Sequence, residues 1–473
     1  MTNTTLPGVV VTSQKKKWGQ LVLGLSCMIS ISSPQYVWAL FSRPLMEKLQ
    51  VPLAEIQITF SLLIILQTFF SPFQGKLIDR FGPRRLITLG TVLTGVSWML
   101  AARMDSLTEL YLYYGVLGGL GTGIVYIGVV GLMVRWFPQN RGFATGMVAA
   151  GYGMGAILTT FPITLSLASH GLENTLWQFG LIMAVVGFLA SQGLRVPPFQ
   201  ETETRSTPLK VTSKDFTSRE MLRQPLFWLM FLMMTMMSTS GLMVTSQMAI
   251  FAGDFGITSV TVLGMAALPL AMTIDRFMNG LTRPVCGYLS DRIGREKMMF
   301  IAFGLEGCAM TLWLLCKDDP LLFVLLSGVV FFGWGEIFSL FPATLTDTFG
   351  TRFATANYGW LYISQGIGSI FGGHSLPCCI SIPRAGAWYL AALLRWILCV
   401  PCWLCWCLNP GVLASLAVCR HKTASGNHTK QMFAGSLIVL TSALLSPLSA
   451  SRQPFLARVI PSLVTYSFRC LRF

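Results

Sequence analysis

Within an apolar run of the chain, the stretch TIDRFMNGLTRP at 273–284 carries Asp275, Arg276 and Arg283. The run spans roughly 259–288, which puts Arg276 near the middle of a helix and ~22 Å from Asp291 at its far end. A charge at that depth costs at least ~2.5–3.5 kcal/mol, so it belongs against a polar cavity. Asp275 does not cancel Arg276, because neighbouring side chains leave a helix about 100° apart. Asn279 and Arg283, three and seven residues on, share the Arg276 face. A cationic, hydrogen-bonding stripe of this kind suits a carboxylate held by guanidinium contacts. The competing reading is an internal ion pair of Arg276 with Asp275 or with Glu336; both acids are also candidates for carrying a proton.

Other candidates are polar or aromatic but uncharged: Gln35, Tyr36 and Trp38 on the first apolar segment, Gln57 on the second and Tyr126 on the fourth. Trp334 and Phe338 lie on the tenth, and Phe338 stands 212 residues after Tyr126. No carboxylate or arginine occupies the centre of an N-terminal segment. The four histidines have no metal-ligand spacing, and no nucleophile–base pair is in view, so we expect no enzyme, no metal and no cofactor.

The elements that must position these residues are membrane spans. Of the 473 residues 53% are hydrophobic and only 11% charged, against about 25% charged in soluble chains. Stretches long enough to cross ~30 Å of hydrocarbon recur twelve times, at about 18–42, 57–74, 86–103, 109–134, 141–167, 176–194, 225–252, 259–288, 298–316, 320–341, 355–373 and 386–409. Nearly all Lys and Arg up to residue 352 fall on one side, in Lys15–Lys17, Lys76, Arg80, Arg84, Arg85, Arg135, Arg141, the 196–224 segment, Arg292, Arg295 and Lys297. Only Arg43, Lys48, Arg103 and Lys317 lie opposite. This asymmetry predicts cytoplasmic termini and makes the net charge of +15 a matter of topology, not nucleic-acid binding. The expected location is the cell membrane, in contact with lipid, and the expected state is monomeric.

The chain repeats itself. GKLIDRFGPRR at 75–85 returns as GYLSDRIGREK at 287–297, placing Asp79 and Asp291 212 residues apart, and FAT at 143–145 returns at 353–355. The reading is an all-α polytopic membrane protein of two six-helix bundles, 1–195 and 225–411, joined by a polar cytoplasmic linker at 196–224. Glycines crowd the fifth segment (Gly146, Gly151, Gly153, Gly155) and the eleventh (Gly359, Gly366, Gly368, Gly372, Gly373), marking close helix contacts.

Both loop copies resemble the G-x-L-x-D-R-x-G-R-R signature of the major facilitator superfamily. QYVWALF, TRPVCGYLSDRIGR, FGWGEIFSLFPATLTDTFG and NYGWLYISQGIGSIFGG further resemble the oxalate/formate antiporter family. The resemblance covers about 15–373. It implies a twelve-helix transporter whose helix 8 arginine, taken as Arg276, binds the carboxylate of a small anion, while aromatics from both halves enclose it. It also implies that Asp79, Arg80, Arg84, Arg85, Asp291, Arg292 and Arg295 lock the halves together and release as they rock. The sequence departs at Gln365, where the oxalate-transporting relatives place a lysine. With one cation fewer, the expected substrate is a monocarboxylate. Two other readings remain: a proton-coupled monocarboxylate symporter, and an anion sensor signalling through the linker.

All 19 Asp and Glu precede residue 374, and 8 of the 12 cysteines follow it. The expectation is that the reading frame shifts after Gly373, which would make 412–473 an atypical tail and the twelfth segment a replacement.

Overall fold

The computed structural model describes residues 14–197, 214–257, 260–316 and 319–372. The twelfth expected segment, the cysteine cluster and the tail lie outside them. All described residues belong to one compact unit.

The N-terminal half runs α1 (Gln14–Ser30), α2 (Ser33–Tyr36), α3 (Trp38–Leu49), α4 (Leu53–Phe69), α5 (Ser71–Phe81), α6 (Pro83–Ala101), α7 (Leu107–Leu110), a π-helical turn (Tyr111–Leu117), α8 (Gly118–Trp136) and α9 (Arg141–Gln192). The short α10 (Ser218–Met221) precedes the C-terminal half: α11 (Pro225–Asp254), α12 (Ala267–Ile293), α13 (Arg295–Leu315), α14 (Pro320–Trp334), α15 (Ile337–Phe349) and α16 (Ala354–Gly372). Eleven of the twelve expected segments therefore fall on helix. By length and hydropathy alone, five helices among the described residues can cross a membrane, or seven when each bent pair counts as one span. The bent pairs are α1–α2 with α3, at 46°, and α4 with α5, at 49°. Gly171, at φ 75°, breaks α9 into two helices where two separate segments were expected.

The helix ends follow from the sequence. Gly82 and Gly294, 212 residues apart, both take left-handed conformations (φ 90° and 103°) that end α5 and α12 and turn the chain directly into α6 and α13. Asp319 caps α14 through the amides of Leu321 and Leu322. Thr217 and Glu220 form a capping box on α10, and the Thr217 amide holds the Glu220 carboxyl below its ordinary range.

One element departs from expectation. Leu263 and Gly264 both have positive φ and close a two-residue hairpin, pairing Thr261–Val262 with Met265–Ala266. The helix expected from 259 therefore starts at Ala267 and has its midpoint at Gly280, not at Arg276.

The two halves meet through small residues. A Cβ on Gly142 or Gly287 would overlap the backbone of the other, one on Gly146 the carbonyl of Arg283, and one on Gly75 the backbone of Thr355 and Ala356. These positions lay the first part of α9 on α12, and α5 on α16, backbone to backbone. Beside the second contact, the linker's end docks on the turn between α15 and α16. Asp215 accepts from the amides of Thr351 (2.9 Å) and Arg352 (3.1 Å), and the Phe216 amide donates to Phe349 O.

Candidate functional site

At the centre of the α9–α12 contact lies Arg283, only 1% exposed. Its Nη1 donates to Ala149 O at 2.7 Å and its Nη2 to Asn279 Oδ1 at 2.6 Å, while Nε is buried with no partner. The guanidinium sits 4.5 Å above the ring of Phe338, and Gly153 leaves it room on the other side. No carboxylate lies within ion-pair distance of it among the described residues.

Five tyrosines gather beside this cation, three from the N-terminal half and two from α16. Tyr126 stacks on Tyr362 with centroids 4.8 Å apart and meets Tyr152 edge-on at 5.2 Å. Tyr36 meets Tyr152 at 5.4 Å, and Tyr358 adjoins Tyr362 at 5.7 Å. Gln67 of α4 bridges the halves by donating to the hydroxyls of Tyr152 (3.1 Å) and Tyr362 (3.2 Å), and Tyr152 in turn donates to Gln35. The charge of Arg283 acts on Tyr126, Tyr152 and Tyr358. Several buried polar atoms here have no partner, Asn279 Nδ2, Gln365 Oε1 and Trp334 Nε1, and the hydroxyls of Tyr126 and Tyr358 have only each other. Buried polar groups are nearly always satisfied, so this concentration of donors and acceptors sets the place apart from the surrounding packing.

The structure distributes the expected residues unevenly. Phe338 lies under Arg283 and Tyr126 lies in the tyrosine cluster. Trp334 packs edge-on against Phe338 at 6.0 Å. Arg276 is half-buried, one side of the stripe but ~10 Å from Arg283 toward the hairpin, and makes no hydrogen bond or ion pair among the described residues. The competing Arg276–Glu336 ion pair is not formed. Asp275 is buried against Ser327 of α14. Glu336 is fully buried, and neither carboxylate oxygen has a hydrogen bond to another residue. Gln57 accepts from Trp38 Nε1 (3.1 Å) ten residues along α4 from Gln67, about 15 Å toward its other end. Gln67, Tyr152, Tyr358 and Tyr362 were not among the sequence candidates. Gln67 gave a signal, being a lone amide in LLIILQTFF.

At the signature-loop end, two acids each reach the N-terminus of a helix in the other half. Asp79 accepts from the Ala356 amide of α16 (3.1 Å) and pairs with Arg135, which also reaches Arg352 O and Thr355 Oγ1. Asp291 accepts from the amides of Gly142 (3.0 Å) and Phe143 (2.8 Å) at the start of α9. Arg295 joins Asp291 (2.7 Å) to Asp347 (2.9 Å), and Asp347 also pairs with Arg141. The other loop arginines stay outside this network. Arg80 and Arg292 lie over Phe81 and Tyr288, Arg84 donates to Gln192, and Arg85 is exposed. Arg135, Arg141 and Asp347 take the places expected of them. The halves are thus closed against each other at this end.

Residues 21–373 match the Major Facilitator Superfamily. The chain is 34% identical over 359 residues to an oxalate:formate antiporter of Oxalobacter formigenes, covering 76% of this chain and 83% of that one. It is 30% identical over 357 residues to the uncharacterized MFS-type transporter YhjX of Escherichia coli (strain K12), covering 76% and 87%. Among solved structures, the proton:xylose symporter XylE bound to 6-bromo-6-deoxy-D-glucose superposes with a TM-score of 0.61 at 12% identity, over 85% of this chain and 97% of that one, a likeness of fold.

Proposed function

Because this chain belongs to the major facilitator superfamily, and is a multi-pass membrane transporter and not an enzyme, we propose that it exchanges small carboxylates by alternating access, with Arg283 as the anchor in place of Arg276. The observation that carries this reading is Arg283 itself: a fully buried cation with no acid within ion-pair distance among the described residues, a free Nε and an aromatic wall from both halves. A carboxylate entering here meets guanidinium donors that are already desolvated and oriented. The hydroxyls of Tyr126 and Tyr358, which have only each other, and the Gln365 amide supply the remaining hydrogen bonds, and the stacked rings shut out water. Gln365 offers hydrogen bonds but no second charge, which favours a formate-like monocarboxylate over a tightly held dianion. The signature-loop end is taken as cytoplasmic, in the cell membrane, from the distribution of Lys and Arg. The closed contacts of Asp79 and Asp291 then describe a state shut toward the cytoplasm. Rocking the halves trades those helix-capping bonds for water and opens the site inward.

The test is uptake of labelled formate and oxalate into proteoliposomes, empty or preloaded with unlabelled carboxylate. Exchange requires preloading, and formate is the expected preference. Uptake into empty vesicles at the same rate refutes exchange.

A further inference from the structure

The C-terminal half holds a buried acid pair outside the anion site. Glu306 comes from the middle of α13 and Glu336 from the junction of α14 and α15, and both are fully buried. They converge. Glu306 presses against Gly333, one turn before Glu336, where any side chain would meet its backbone and Cβ, and the two carboxylates act on each other electrostatically. Ser240 of α11 donates to Glu306 Oε1 at 2.7 Å. Glu306 Oε2 and both oxygens of Glu336 have no hydrogen bond to another residue. From α12, Arg283 acts on Glu336 through its charge and the neutral Cys286 thiol lies within reach of the Glu336 charge, but neither forms an ion pair or hydrogen bond with it.

Two buried carboxylates beside one arginine leave an uncompensated negative charge, which a membrane interior tolerates poorly. Three buried carboxylate oxygens with no hydrogen bond to another residue are a seat that a positive charge would fill. We infer that Glu306 and Glu336, with Ser240, bind one monovalent cation, a proton or Na⁺, and that carboxylate binding at Arg283 strengthens this binding. The second half rests on the anion reading above. An anion on Arg283 takes up the charge that otherwise offsets Glu336, so the pair then needs its own cation. By linkage the cation raises anion affinity by the same factor. One monocarboxylate moving with one cation is electroneutral.

The experiment uses the purified full-length protein and infrared difference spectroscopy of carboxyl groups. Spectra are compared across pH at fixed salt, and across Na⁺ at fixed pH, for wild type, Glu306→Gln and Glu336→Gln. A carboxyl signal that follows pH identifies the proton; one that follows Na⁺ identifies sodium. Either is expected to vanish in both variants. Formate is expected to shift the wild-type midpoint by about fivefold or more in cation concentration, a shift that Arg283→Gln removes while keeping the signal. Should a glutamine variant fail to fold, Ser240→Ala, which removes one hydroxyl, moves the midpoint instead. A wild-type spectrum indifferent to pH and Na⁺ overturns the site, whatever formate does. A signal unmoved by formate, in protein that binds formate, overturns the coupling. A cation signal in protein that binds no carboxylate supports the site and counts against the anion reading alone.

Discussion

Replacing Arg283 by glutamine separates the two arginines of the α12 stripe. A guanidinium carries five N–H bonds. The structure commits one on Nη1 to Ala149 O and one on Nη2 to Asn279 Oδ1, leaving the orphan Nε–H and a second hydrogen on each Nη. A carboxylate taking two of these gains two charge-assisted hydrogen bonds, each worth about 1.5–3 kcal/mol. Glutamine keeps a neutral amide and no charge. The loss is then at least ~3 kcal/mol, or about 100-fold in Kd. Arg276→Gln, on a half-buried side chain with no partner, is expected to change Kd less than about threefold. Arg283→Lys falls between, keeping charge but losing the planar fork. Calorimetric titration of formate into each purified variant, with size exclusion to confirm folded protein, gives the answer. Arg283→Gln within about threefold of wild type, or a 100-fold loss in Arg276→Gln instead, refutes the assignment.

Three other outcomes are expected. Gln365→Lys adds a second cation to the site and should turn the preference toward oxalate, read as the ratio of oxalate to formate exchange; an unchanged ratio removes the charge argument. Gly287→Ala places a methyl into the backbone of Gly142, so the signature-loop end should no longer close, and a cysteine introduced there should label faster while exchange falls at least about tenfold. Unchanged labelling would show that this contact is not the closing surface. Sequencing the gene across codon 374 should reveal an alternative frame that restores acidic residues, and restoring it should raise exchange; no such frame means the tail is native.

Much of this fold was legible because its signals are additive along the chain. The 212-residue repeat, the apolar lengths and the paired Asp79 and Asp291 need no knowledge of which way a helix faces. The placement of Arg276 failed for a local reason: two positive-φ residues, Leu263 and Gly264, make a hairpin inside an apolar run and move the middle of α12 toward Arg283. Gln57 was misplaced because a polar residue on an apolar helix says nothing about depth. Tyr152, Tyr358 and Tyr362 were overlooked because a tyrosine in a membrane helix reads equally as packing. Only assembly shows that Tyr126 stacks on Tyr362, 236 positions away in the chain. Glu306 drew no notice for a similar reason, since its partner Glu336 comes from another helix.

The docking of Asp215 on the α15–α16 turn changes what the linker is mechanically. Its last residues are bound to the C-terminal half, so Asp215 and Phe216 move with the α15–α16 turn whenever the halves rock. A probe attached at this end of the linker would therefore report the motion of that half alone.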